Sequence, residues 1–165
     1  MVYGYHLSLE RRGFVYLASI MDLYSRKIIS RTLGETLEAK WVLEVVEKAK
    51  KERRVSQPLV IHSDRGVQYT CGDYEEATEG MERSYSSKAC PWDNACIESF
   101  HSLIKREWTS RFHIIDYSHA YRLVFEYIEA FYNTVRIHSH CGYRSPGEYE
   151  KQYLERMEEK MKESG

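Results

Sequence analysis

Apolar residues alternate loosely from Val2 to Leu9 and densely from Phe14 to Met21 (FVYLASIM), where β-branched and aromatic types dominate. Both segments predict strands, and Arg11-Arg12-Gly13 between them is of hairpin length. After the polar DLYSR, the run Lys27 to Leu33 (KIISRTL) predicts a third strand. Short connections in a row predict an antiparallel meander. The period then changes. Leu37, Trp41, Val42, Val45, Val46 and Ala49 recur every three or four residues, which predicts an amphipathic helix over 37–52.

Pro58 opens a short apolar run, Leu59-Val60-Ile61, that delivers Asp64 into a Gly-containing turn. Such a run reads as a buried strand with a polar cluster at its carboxyl end. Asp73 to Glu79 predicts a short helix ended by Gly80, and Tyr85 to Ala89 a short strand or a loop. Pro91 to Trp108 predicts a long helix with Ile97, Phe100, Ile104 and Trp108 on one stripe. Ser118 to Val135 predicts another, burying Tyr121, Val124, Phe125, Ile128, Phe131 and Tyr132. In the last helix Ser145 is the N-cap, Pro146 the first helical residue and Glu148 the capping-box partner. Its continuation to Ser164 has few apolar residues and is expected to fray into solvent. Three antiparallel strands, a helix, a strand and then helices describe an α/β fold of RNase H-like order. The expected sheet is mixed, with three antiparallel strands plus parallel ones, flanked by helices.

A chain of 165 residues is long enough for one domain with a real core. Charged residues make up 30% and the net charge is −1, so composition alone does not announce a nucleic-acid binder. Any basic patch has to be local. Cys71, Cys90, Cys96 and Cys141 form no CxxC pair and read as reduced thiols. No apolar stretch is long enough to span a bilayer and no signal peptide is recognisable, so the expectation is a soluble cytoplasmic protein without a membrane partner.

The chemistry-bearing residues fall in two stretches. In IHSDRGVQYT, Asp64 stands at a strand end, where an Asp-x-Gly sequence equally suits a turn aspartate bonding its own backbone. In CPWDNACIESFHSLIKREW, Asn94, Glu98, His101 and Lys105 share roughly one helix face beside the apolar stripe. That face suits an active-site wall, and equally an ordinary solvated surface. His138, His140 and Cys141 lie too close together for a zinc site and lack a fourth ligand at finger spacing.

HSDRGVQYT, SYSSKACPWDNACIESFHSLIKREW, FYNTVRIHSHCGYRSPGEYE and FVYLASIMDLYSRKII together resemble the integrase-like catalytic core of bacterial insertion-sequence transposases. That family sits in the retroviral integrase superfamily with its Asp-Asp-Glu triad. The resemblance runs from about Gly13 to Glu150. It implies DNA cleavage and strand transfer by in-line displacement at phosphorus, assisted by two Mg²⁺ or Mn²⁺ ions held by hard oxygen ligands. It also implies DNA partners (element ends and target), a homo-oligomer or pairing with an intact transposase, and a bacterial, nucleoid-associated location. By motif, Asp64 matches the second triad carboxylate and Glu98 the third, both as metal ligands. Lys105, Asn94 and Arg65 match positions suited to DNA, Asn94 also by shaping the loop before the helix.

The pattern departs from the family in its first strand. The resemblance expects the first triad Asp near Tyr3 or Gly4, and MVYGYHLSLERRG contains no Asp. Asp22, opposite that region across the hairpin, is a candidate substitute ligand; its other reading is a turn cap paired with Arg26. Related transposases usually carry a helical DNA-binding segment before this core. The expectation is therefore a core over residues 1–150, truncated at its N-terminus, with a charged helical tail over 151–165. The spacing between Asp64 and Glu98 is also slightly short, with the shortening near Glu75 to Arg83. Three functions stay open: an integrase core inactive for want of one carboxylate, a non-catalytic remnant that binds DNA or transposase, and an RNase H-like nuclease with an altered site.

Overall fold

The computed structural model describes residues 2–9, 13–36, 38–53, 59–87 and 90–163. The Arg11-Arg12 turn, Leu37, Pro58, Ala89 and Ser164 lie outside them. The meander expected from the first three apolar runs forms: β1 (Val2–Leu9), β2 (Gly13–Met21) and β3 (Ile28–Gly34) pair antiparallel in that order. Helix α1 (Ala39–Arg53) follows and buries Val42, Val45 and Val46. Strand β4 (Val60–Ser63) pairs in parallel with β5 (Glu82–Tyr85), with the short helix α2 (Gly72–Ala77) between them. The fifth strand thus starts earlier than the Tyr85–Ala89 expected from the sequence. Among the described residues the two ladders share no strand, although β1 approaches β4.

Side-chain alternation on β2 divides the core. Val15, Leu17 and Met21 face one way, against α3 (Ala95–Glu107) and α4 (Tyr117–Phe125). Ala18 and Ile20 face the other way, against α1, Ile61, Tyr69 and Tyr74. The central strand is therefore covered on both faces, which a strand dense in apolar residues requires.

The expected helix 118–135 departs from regular α geometry. Past Phe125 the turns widen to a π-helix over Glu126–Tyr132, and Asn133 N–H donates to Ile128 C=O at 3.0 Å, five residues back. Ala120, Leu123, Val124, Tyr127 and Ile128 keep the three-four rhythm on the buried face, and Tyr132 continues it through the π-helical segment. Tyr121 and Phe125, expected inside, are half exposed, and the Arg31 guanidinium lies 5.0 Å from the Phe125 ring centre. The last helix, α5 (Pro146–Glu163), begins at the expected capping box: Ser145 Oγ accepts from Glu148 N–H, and the Glu148 carboxylate accepts from Ser145 N–H. Beyond Tyr149 and Glu150 it is mostly solvent-exposed yet remains helical.

Candidate active site

Asp64 follows directly on β4, whose Ile61 and Ser63 are buried. Its Oδ1 accepts the Gly66 N–H at 2.7 Å, so the local turn suggested by Asp-x-Gly does form. Only one oxygen is used. Oδ2 makes no bond within the described residues, and the residue is partly exposed. A turn role and a ligand role are thus compatible in one side chain.

Glu98 sits in the first turn of α3, where amide N–H groups favour negative charge. Asn94, the residue before that helix, does not cap it. Its side-chain amide donates to Ser86 Oγ at 2.6 Å, and the residue is only 4% exposed. Ser86, just after β5, joins both halves of the candidate site. Its N–H donates to Ser63 C=O at 2.9 Å, extending the β4–β5 pairing by one bond. Its Oγ lies 3.2 Å from His62 Nε2, and its carbonyl accepts Arg65 Nε–H at 3.1 Å. The strand end bearing Asp64 and the helix start bearing Glu98 are therefore bonded through one serine. On the loop between, Ser87 N–H and Cys90 Sγ hold the Asp93 carboxyl below its usual range.

The helix face expected to carry Asn, Glu, His and Lys splits in two. Glu98 and Lys105 stay accessible, whereas His101 is 3% exposed and its Nε2 lies 3.0 Å from Ser19 Oγ on β2. Burial pushes its pKa down to about 3, so it packs as a neutral ring in the core. The correction is geometric: in 3.6-residue periodicity, a residue three after Glu98 already turns toward the sheet. Arg65 is tethered by its bond to Ser86 rather than extended freely into solvent.

Asp22 caps its own turn, accepting Tyr24 N–H at 2.9 Å, and pairs with Arg53 at 2.7 Å rather than with Arg26. Both carboxylate oxygens are thereby engaged, one by the Tyr24 N–H and one by the Arg53 guanidinium. Tyr3 and Gly4 lie on β1 opposite Ser19 and Ala18, and neither residue carries a carboxylate. Among the described residues, no three His, Cys, Asp or Glu side chains converge on a point that could hold a metal ion. Two carboxylates alone do not fit a site that shares ligands between two ions. The side chains of His138, His140 and Cys141 bond within the protein: to Arg136, to Tyr24 C=O and to Ser25 C=O respectively.

The description "Integrase core domain" matches residues 4–89, and a second family of the same description matches residues 79–146. The chain belongs to the integrase core domain family. It is similar to the transposase for insertion sequence element IS904 of Lactococcus lactis, 36% identical over 143 residues covering 86% of this chain and 56% of the relative. The chain thus spans about half the length of that curated relative. Among solved structures, the BIV integrase catalytic core domain aligns with a TM-score of 0.62 at 17% identity, covering 96% of this chain and 95% of that one. The HTLV-2 integrase catalytic core domain, in complex with magnesium, aligns with a TM-score of 0.64 at 11% identity, covering 90% and 92%. These place the integrase core in the RNase H-like α/β class expected from the element order. All four cysteines of this core are free, and no helix among the described residues is long and apolar enough to cross a membrane.

Neither Ser86 nor Ser63 stood out in the sequence. The available signal was a serine-rich stretch, SYSS, that runs off the end of β5 a few residues before DNACIES. Small hydroxyl residues at a strand end are where side chains substitute for missing ladder bonds.

Proposed function

We propose that this chain is the core of an insertion-sequence transposase that binds DNA but lacks strand-transfer activity for want of one metal ligand. Asp64 and Glu98 are the two surviving carboxylates. Lys105, exposed seven residues beyond Glu98 on the same helix face, neutralises a DNA phosphate, and Asn94 fixes the loop before that helix. The DNA partners are element ends and target, and the assembly contains further copies of the chain or an intact transposase.

One observation carries the reading. The Ser86 joint ties the Asp64 strand end to the Glu98 helix, while residues 1–13 supply no aspartate to complete the set. A complete set of three carboxylates would hold Mg²⁺ or Mn²⁺, which would supply activation of the attacking oxygen and stabilisation of the leaving one. Asp64 and Glu98 alone do not complete that set.

The test restores the missing group. The wild-type chain, Tyr3→Asp and Gly4→Asp are assayed for joining of element-end DNA with Mg²⁺ or Mn²⁺. The wild type is expected to join no ends, and one of the variants to gain nicking or joining that Asp64→Asn abolishes. Robust joining by the wild type would sink the claim of inactivity. Failure of both variants to bind Mn²⁺ in calorimetry would remove Asp64 and Glu98 as a poised pair.

A further inference from the structure

An open trough of about 550 Å³ lies between the flank of α3 and the segment 136–140, outside the Asp64–Glu98 pair. Arg26, Arg136, His138 and His140 line it together with the hydroxyl residues Ser99 and Ser139. Among the described residues, no carboxylate side chain lines it. Arg136 is already balanced, since its Nε and a terminal nitrogen bond Glu107 at 2.8 and 2.7 Å. Arg26 is different. Among the described residues it has no acidic partner, and its only side-chain neighbour at hydrogen-bond range is His140 Nδ1, at 3.5 Å. His140 Nε2 faces Tyr24 C=O at 3.0 Å, so the ring donates there and turns its acceptor nitrogen toward Arg26. The guanidinium is thus oriented while its charge stays unmatched.

The backbone adds a second observation. Arg26 has φ 63, in the left-handed region that glycine or asparagine normally fills, within the tight turn from β2 to β3. A turn selected only for its shape would favour glycine there. A long cation at a strained position is the pattern of a side chain kept for what it binds. The local field is consistent with this: burial first and Arg136 next push the His138 pKa down to about 4, Glu107 opposes them, and Arg26 and His140 add smaller downward effects.

We propose that this trough is a binding site for a DNA backbone phosphate, with Arg26 supplying the charge and Ser99 and Ser139 the neutral donors. It rests on the reading of the chain as a DNA-binding core and adds a contact beyond Lys105. The trough lies on the flank of α3 next to the Glu98–Lys105 face, because Ser99 stands about 100° round the helix from Glu98. One strand can therefore pass from one to the other. A guanidinium and two hydroxyls match a phosphodiester, whose charge is spread over its oxygens, and read no base.

The experiment measures binding of a short labelled duplex by fluorescence anisotropy between about 50 and 200 mM salt. The proteins are the full chain, Arg26→Gln, Arg26→Gly and Lys105→Gln. Each lost phosphate contact should lower the slope of log K against log salt by about 0.9, with the same loss on unrelated sequences. Arg26→Gly relieves the left-handed backbone, so its melting temperature should equal or exceed that of the wild type while its slope falls. That combination supports the site. Unchanged slopes in both Arg26 variants, with a reduced slope in Lys105→Gln, overturn the trough and leave the DNA reading standing. Wild-type binding with no salt dependence overturns the DNA reading itself, and the trough with it.

Discussion

Asn133 is the side chain whose loss should cost this fold most per atom removed. It ends the π-helical turn, is 4% exposed, and pairs with the start of β3 as a strand would: its Oδ1 accepts Ile28 N–H and its amide donates to Ile28 C=O, each at 3.0 Å. Its own carbonyl accepts Gly147 N–H at 2.8 Å, so one residue joins the π turn, the sheet and the start of α5. Asn133→Ala leaves two buried backbone groups of Ile28 without partners, at about 1–3 kcal/mol each. A total of about 3 kcal/mol lowers the melting temperature of a chain this size by roughly 6–12 °C. Asn133→Asp keeps the acceptor for Ile28 N–H but sets a carboxylate oxygen against Ile28 C=O. Its folded pKa should rise above the unfolded value, so its stability is retained below the unfolded pKa and lost as pH rises. The deficit of Asn133→Asp relative to wild type should therefore shrink as pH falls toward 4, whereas that of Asn133→Ala should not follow it. Melting by circular dichroism at several pH values reads both effects. An Asn133→Ala shift under about 2 °C would show that the paired bonds contribute little, and the reasoning would fail.

Two further outcomes concern pH. The Arg136 guanidinium holds the Glu107 carboxyl below its usual range, against the next-largest effect, burial, and the Tyr127 hydroxyl adds a smaller downward pull. Its contribution to stability is thus present above the ordinary carboxylate pKa and lost as pH falls through the depressed folded value. Glu107→Gln should flatten that acid limb in urea titrations, and an unchanged acid limb would remove the Arg136 pair from the account. Burial holds His101 and His138 neutral, with pKa values pushed down to about 3 and about 4. The unfolded chain takes up those protons below about 6.5 and the folded chain does not, so stability should fall as pH drops from 6.5 toward 4. Replacing His138 with Gln should weaken that dependence, and an unaltered slope would show that His138 is protonated in the folded state.

The strands and helices were legible wherever one rhythm ran unbroken. FVYLASIM, the α1 pattern and the Ser145-Pro146-Gly147-Glu148 start all form where periodicity and capping chemistry put them. The π-helical turn was not legible, because a five-residue step has the same composition as a four-residue one. Tyr121 and Phe125 precede it and are exposed for another reason: the buried stripe runs one residue earlier, through Ala120 and Val124, and an alanine carries too little apolar weight to mark it. For the candidate site, the resemblance of HSDRGVQYT and DNACIES to the family's motifs pointed to Asp64 and Glu98, whereas strand-end position and helical spacing alone left a turn aspartate and a solvated helix face equally open. What links them, the Ser86 hydroxyl and the Asn94 amide, is a tertiary fact with no periodic signature. His101 shows the converse: helical spacing grouped it with Glu98, but only the position of β2 reveals that Ser19 receives it inside.

A common device underlies both joints. At the end of the β4–β5 ladder, Ser86 bonds the strand end with its backbone and reaches Asn94 before the Glu98 helix with its hydroxyl. At the start of β3, Asn133 supplies with its amide the two bonds a neighbouring strand would supply. Neither joint requires charge or a metal ion. The two carboxylates are thus positioned by neutral hydrogen bonds that do not depend on a third ligand. Such a scaffold should keep its shape whether or not a third carboxylate stands beside it. The Ser86 joint also contains no β1 residue, so a carboxylate placed on β1 removes none of its bonds. Restored activity in Tyr3→Asp or Gly4→Asp should therefore come without a large shift in melting temperature. A gain that required extensive second-site changes would mean that the joints had drifted with the lost ligand.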